Sequence, residues 1–291
     1  MLNLYKVGVK VDSVEEELSD SEKASVAYHN LFDFPLSFPE LLRWKVGRDF
    51  VDIGRNRSVF SINGHYFLEG KSGVVYKRLL RNRISAKKIL IAKKYSKIIG
   101  LIPTVRMIAL TGSLAMDNSS EDADIDLMVV TKKNTLWSTR LVFYLTTMLL
   151  GAKTRKPNDS DQKDKLCLNM WLDESDLSWS KNDQNIYTAH EISQIVPLVN
   201  KSKTYEKMLL ANKWILKYWP NAVKIIKLKD EALAKQNSSF LSSVHTPIEN
   251  ICFWIQKRYM KNKISREVVT KTRALFHPQD WGKVVIKRLT T

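Results

Sequence analysis

Cysteine is nearly missing from this chain: Cys167 and Cys252 are the only two among 291 residues. Both sit in apolar segments, so they read as buried free thiols of a reducing compartment, the cytoplasm. That pattern excludes a disulfide framework and a cysteine zinc site. Long apolar runs are missing as well. The longest uncharged apolar-leaning stretch, Leu141 to Ala152, includes two threonines and falls short of the roughly 20 residues that span a bilayer, so no integral membrane segment is expected. Met1 to Lys10 lacks the apolar core of a secretory leader. Neither an internal repeat nor a low-complexity tract is visible. Acids are scarce relative to bases: 30 Asp and Glu face 47 Lys and Arg, a net charge of +17. This excess implies a polyanionic partner, nucleic acid first, although an anionic membrane surface or a ribosome would select the same charge.

What is present suffices for a sizeable core, with 44% hydrophobic and 10% aromatic residues, and the length predicts two or three compact units. After an acidic opening (Asp12, Glu15, Glu16, Glu17, Asp20, Glu22), Ala24, Ala27, Tyr28 and Leu31 recur at helical spacing. Pro35 ends that helix, and Ser37 is placed to cap a second one through Pro39 and Trp44. Val59–Ile62, Asn63-Gly64 and His65–Leu68 form a strong hairpin signal, because Asn-Gly suits a tight type I′ turn. Helices followed by a hairpin resemble winged helix-turn-helix modules, in which Arg43, Lys45, Arg48, Arg55 and Arg57 are available for recognition. From Lys71 to Lys97 the chain carries basic residues and no acid. This stretch reads as two helical segments with Ser85 as the N-cap between them. Lys77, Arg78, Arg81, Arg83, Lys87 and Lys88 are its candidate nucleic-acid contacts.

The chemistry-bearing motif lies further on. The apolar strand Val105–Leu110 ends at Thr111-Gly112-Ser113, and after a polar linker a second strand carries Asp124-Ile125-Asp126. Residues i and i+2 of a strand share a face, so Asp124 and Asp126 present two carboxylates side by side. Such a pair repels itself unless a cation lies between, which suits Mg²⁺. Gly112 permits close backbone approach, and the Ser113 hydroxyl can hold phosphate oxygens.

At these residues the chain resembles the DNA polymerase beta-like nucleotidyltransferase superfamily, whose signature is an apolar strand, Gly-Gly or Gly-Ser, about ten residues, then Asp-x-Asp or Asp-x-Glu. The resemblance implies Asp124 and Asp126 as ligands of two Mg²⁺ ions (Mn²⁺ as an alternative) and Gly112 and Ser113 as nucleotide-binding residues. It also implies a third carboxylate from a later strand. Alternation in Leu166–Leu172 puts Leu166, Leu168, Met170 and Leu172 on one face, and Cys167, Asn169, Trp171 and Asp173 on the other. Asn169 holds the position where the acid is expected, and an amide is no base. Asp173 and Glu191 are the candidate substitutes.

The resulting expectation is an α+β protein. It comprises an acidic opening at 1–20, read as disordered, a winged-helix-like domain at 21–70 and a basic helical connector at 71–100. A nucleotidyltransferase domain at 101–200, with a mixed sheet and flanking helices, precedes a helical C-terminal domain at 201–291. Within it Leu136–Leu150 is a helix and Lys153–Lys165 a flexible loop. In Pro247–Met260, Ile248, Ile251, Cys252, Ile255 and Tyr259 share the face expected to enter a bundle core. The function implied is Mg²⁺-dependent transfer of a nucleoside monophosphate from a nucleoside triphosphate (NTP) to a nucleic acid, with RNA such as tRNA favoured. Proteins or small molecules are other acceptors, and a catalytically silent nucleic-acid-binding or regulatory protein is the alternative. The sequence is silent on oligomeric state.

Overall fold

The structure, a computed structural model, describes residues 12–13, 18–50, 52–53, 57–156, 159–225, 241–260, 268–276 and 280–290. Much of the acidic opening and Arg55 lie outside them, as do Asn237-Ser238-Ser239, a stretch whose composition reads as a loop, and His277-Pro278, which reads as structural. The chain is a mixed α+β protein with two sheets. No helix among the described residues is long and apolar enough to cross a membrane.

The amino-terminal part opens with β1 (Asp12–Ser13) and α1 (Asp20–Asn30), where Ser19 and Glu22 form a capping box that satisfies the first free amides. Ser37 and Glu40 repeat the device at α2 (Phe38–Arg43), just after β2 (Leu36–Ser37). The hairpin β3 (Val59–Ile62) and β4 (His65–Leu68) turns through Asn63 and Gly64, both at positive φ as a type I′ turn requires. These strands form an antiparallel sheet in the order β1-β3-β4-β2.

Next comes α3, a single helix over Gly73–Ile99. Ser85 is buried inside it and accepts a hydrogen bond from the Ser119 amide, so the expected break and N-cap at Ser85 are absent. The central sheet begins with β5 (Val105–Leu110), a short turn of helix α4 (Gly112–Ala115) and β6 (Ile125–Thr131). After α5 (Leu136–Leu149) and β7 (Leu166–Asp173), α6 (Ile186–Ser193) leads into β8 (Val196–Asn200). The helix expected across 205–218 is two, α7 (Thr204–Ala211) and α8 (Ile215–Tyr218). Between them buried Asn212 donates to the Leu177 and Met208 carbonyls and accepts from the Trp179 amide.

The C-terminal part holds α9 (Leu241–Met260), β9 (Val268–Val269), β10 (Arg273–Leu275) and α10 (Trp281–Thr290). The central sheet runs β8-β5-β6-β7-β10-β9, with β6 and β7 parallel and every other pair antiparallel. Two corrections to the domain plan follow. The segment after residue 200 is not a separate helical unit, because β10 pairs with β7. Nor is the segment before residue 70 independent: Tyr28, Leu36 and Trp44 share one core with Met107, Met128 and Leu172 on one sheet face. The other face (Ile108, Leu127, Val129) is covered by α3, α5 and α9 through Ala92, Phe143 and Phe253.

Candidate phosphate and metal site

Two neighbouring strand ends build the site. At the end of β5, Gly112 adopts φ +59°, and a Cβ there would lie 2.7 Å from Asp126 Oδ2. Glycine is thus what allows the turn to lie directly against the carboxylate. Ser113 is exposed beside it. At the start of β6, Ile125 and Leu127 point into the core beneath α3, α5 and α9, and the carboxylate oxygens of Asp124 and Asp126 fall within 4.8 Å of each other and of Cys167 Sγ.

Cys167 stands opposite Asp126 across the β6–β7 pair, and a bulge in β7 follows it. Asp126 pairs with Cys167 but Met128 pairs with Met170, so β7 has one extra residue. A bulge re-aims side chains, and this one breaks the alternation expected from the sequence. Leu166, Leu168 and Trp171 go to the α3–α5–α9 side, while Met170 and Leu172 pack on the other. Cys167 and Asn169 both stay near Asp126: Asn169 Nδ2 donates to Asp126 Oδ1 at 2.7 Å, and Asn169 Oδ1 is buried without a partner. Beyond the bulge Asp173 sits opposite Thr131, at the far end of the strand pair, where it accepts from the Asn134 and Ser175 amides. The structure therefore removes Asp173 from the candidate third carboxylates. Its role is to hold the turn before α5.

Glu191 is placed differently. Burial, then the charge of Asp126, pushes its carboxyl up to about 7. Asp126 is likewise pushed up to about 7 by burial first and by Asp124 second. Tyr187, one helical turn before Glu191, is raised by burial and then by Glu191 and Asp126. Glu191 and Tyr187 therefore belong to the electrostatic surroundings of Asp126. Burial and the two aspartates raise the Cys167 thiol strongly, which keeps it protonated. Arg155 Nη1 bonds Asp124 Oδ2 at 2.7 Å and reaches Cys167 Sγ at 3.7 Å. Sequence reading missed Arg155, which lies in the stretch read as a loop, and gave Cys167 no part in the site although alternation put it on the face of Asn169.

The donor set fits a hard divalent cation in part. Two close carboxylates suit Mg²⁺ or Mn²⁺, which complete their shells with water and phosphate oxygens. The buried, unpartnered oxygen of the Asn169 amide that bonds Asp126 is a further acceptor. A protonated thiol is no ligand for a hard cation, so Cys167 belongs to the wall.

The linker between Gly-Ser and Asp-x-Asp is held by α3. Arg78 donates to the Met116 carbonyl and to Glu40, and Arg81 donates to Asn118. Lys88 donates to the carbonyls of Glu121 and Ala123 and to Asp164. Arg78 and Lys88 are buried. Three of the six expected nucleic-acid contacts thus serve the protein's own linker, because residues 78, 81, 85 and 88 form the helix stripe that faces it. Lys77 is exposed but paired with Asp33 at 2.7 Å, and Arg83 and Lys87 are exposed on the outer side. Comparison with family models, with curated proteins and with solved structures finds no match to this chain.

Proposed function

We propose that the chain is a Mg²⁺-dependent nucleotidyltransferase that moves a nucleoside monophosphate from an NTP to a nucleic acid. The observation that carries this reading is the contact between the Gly112 turn and the Asp126 carboxylate. It puts a phosphate-holding turn and a metal-holding acid pair at one point, as phosphoryl and nucleotidyl transfer require. In this reading Asp124 and Asp126 hold the metal, and bound metal supplies charge neutralisation for the triphosphate. Gly112 and Ser113 orient the phosphates. Glu191, at a pKa of about 7, is the group that can accept a proton from an attacking hydroxyl near neutral pH. Arg155, bonded to Asp124 Oδ2, would supply positive charge for phosphate oxygens beside the carboxylates that would hold the metal.

The acceptor rests on the net charge and on the exposed cations Arg83 and Lys87 of α3. RNA is favoured, and the helix-and-hairpin order before α3 supports a winged-helix module that helps hold it. Two free thiols, Cys167 and Cys252, are consistent with a cytoplasmic setting. One specific observation favours a second reading, a catalytically silent scaffold. The strand beside Asp126 offers Cys167 and Asn169 where a third acid is usual, and Arg155 and Asn169 already neutralise or bond the pair.

The test incubates the protein with Mg²⁺, each labelled NTP in turn and total RNA, with protein alone as control. Label in RNA that disappears in Asp124→Asn and Asp126→Asn, with unchanged melting temperature, is the expected outcome. Label on the protein itself reassigns the acceptor. No transfer, together with salt-sensitive RNA binding and no Mg²⁺-dependent NTP binding, selects the silent scaffold.

A further inference from the structure

The helical layer α3, α5 and α9 carries twelve basic residues and one acid, Glu249. That acid is buried, and its carboxylate accepts from the Trp137 and Ser138 amides that open α5. The layer therefore shows solvent no negative charge from its own helices.

Its outward side is apolar. Glu249, Phe253 and Met260 are the buried positions of α9, while Ile251, Trp254 and Ile255 face outward, Trp254 at 62% exposure. The stripe expected to fill a bundle core (Ile248, Ile251, Ile255, Tyr259) is thus on the surface, because α5 is met by the opposite side of α9. On α5, Phe143 is buried and Leu145, Met148 and Leu149 are exposed, Leu149 at 83%. Two packed helices that both turn several apolar side chains outward exceed the scatter of single exposed residues on ordinary surfaces. Cations border them: Lys257 Nζ lies 5.5 Å from the Trp254 ring centre, and Arg258 is exposed.

We propose that this face docks on an anionic lipid bilayer. Leucine, isoleucine and methionine side chains gain from entering the acyl boundary. Tryptophan settles at headgroup depth, and the bordering lysines and arginines meet lipid phosphates. A second copy of the chain is a poor occupant, since pairing the face with itself sets basic borders against each other in a molecule of charge +17. Nucleic-acid backbone would satisfy the cations but offers the exposed aliphatic side chains no apolar surroundings. The sheet lies between this face and the carboxylate pair, so a docked molecule keeps Asp124 and Asp126 on the aqueous side.

The experiment is flotation of the full chain with phosphatidylcholine vesicles, with and without about one-third phosphatidylserine. Binding to the anionic vesicles, about tenfold weaker without the anionic lipid, is expected. Leu149→Ser with Trp254→Ser lowers vesicle binding about tenfold or more at an unchanged melting temperature, since both side chains are exposed. Lys257→Glu with Arg258→Glu lowers binding to the anionic vesicles alone. Absence of vesicle binding, or full binding by the Leu149→Ser, Trp254→Ser protein, overturns the proposal. So does a dimer in sedimentation velocity, or RNA binding, that the same two substitutions abolish.

Discussion

Gly112 and Asp126 show how much rests on one missing methyl group. The backbone at Gly112 is left-handed, and a Cβ would approach Asp126 Oδ2 to 2.7 Å. Gly112→Ala is expected to lose about 1–2 kcal/mol from the conformation alone, and the carboxylate must move as well. Thermal melting should show the destabilisation, and Mn²⁺ titration should show weaker binding. A variant that melts lower but binds Mn²⁺ as before would separate the turn from the acid pair. The aspartates were legible in the sequence because a two-residue period on a strand needs no tertiary knowledge. Cys167 and Asn169 were legible as sharing one strand face, and both lie beside Asp126. The faces of Met170 and Trp171 depend on the bulge in β7, an extra residue that no period announces. The same bulge removed Asp173, which the alternation had put on the site's face.

At the scale of elements, α3 shows the difference between finding a helix and knowing its faces. A run of cations without acids is naturally read as a phosphate-binding surface, and its helical character was legible. Which cations point inward depends on what lies against the helix, here the linker 116–123. Lys88 is the clearest case: it is 2% exposed, and its amine serves two carbonyls and Asp164. Asp164 is itself 40% exposed, so that ion pair is screened, and the main cost of losing Lys88 is the Glu121 carbonyl left without this donor and the Ala123 carbonyl left with the Asp164 amide alone. Lys88→Met, which keeps the stem and removes the charge, should destabilise by about 2 kcal/mol. Lys87→Met, one position along but exposed, should stay within about 0.5 kcal/mol. Equal denaturant midpoints for the two variants would show that the linker does not depend on Lys88. The hairpin and the strands β5, β6 and β7 were legible because turn chemistry and apolar runs are local. The edge strands β8 and β9 and the inner strand β10 were not: Val196–Asn200 contains Pro197, and β9 and β10 are too short to show a period.

At the scale of the molecule, the amino-terminal segment is joined to the central sheet through buried aromatic rings and a histidine pair. His29 Nδ1 faces the Ser25 carbonyl at 2.8 Å, so that nitrogen carries the proton. His29 Nε2 is then an acceptor, and it receives the Nε2–H of His190 across 3.1 Å. Trp44 stacks on His190 with ring centres 4.2 Å apart. Burial holds His29 down to about 4; Ser25 and Glu40 oppose this, while Arg78 adds to it. Burial, then His29 and Arg43, holds His190 well below its ordinary value. Both rings are neutral in the folded protein, whereas an unfolded chain protonates them near pH 6.5. At these two rings the unfolded state therefore binds more protons between pH 6.5 and about 4, so their contribution to stability rises with pH and is lost on acidification. Each such proton contributes a slope of up to about 1.4 kcal/mol per pH unit. Asp126 and Glu191, whose carboxyls are held up to about 7, take up protons in the folded state and oppose this slope, so denaturant midpoints from pH 8 to pH 5 are read as the difference between the protein and a histidine variant. In His29→Gln, which removes one titrating ring, the midpoint should start lower and fall less steeply from pH 6.5 to 5. An equal slope in the two proteins would assign the acid sensitivity to carboxylates. A flatter slope in the variant would identify this pair, at the seam between the two segments, as the point where acid first loosens the shared core.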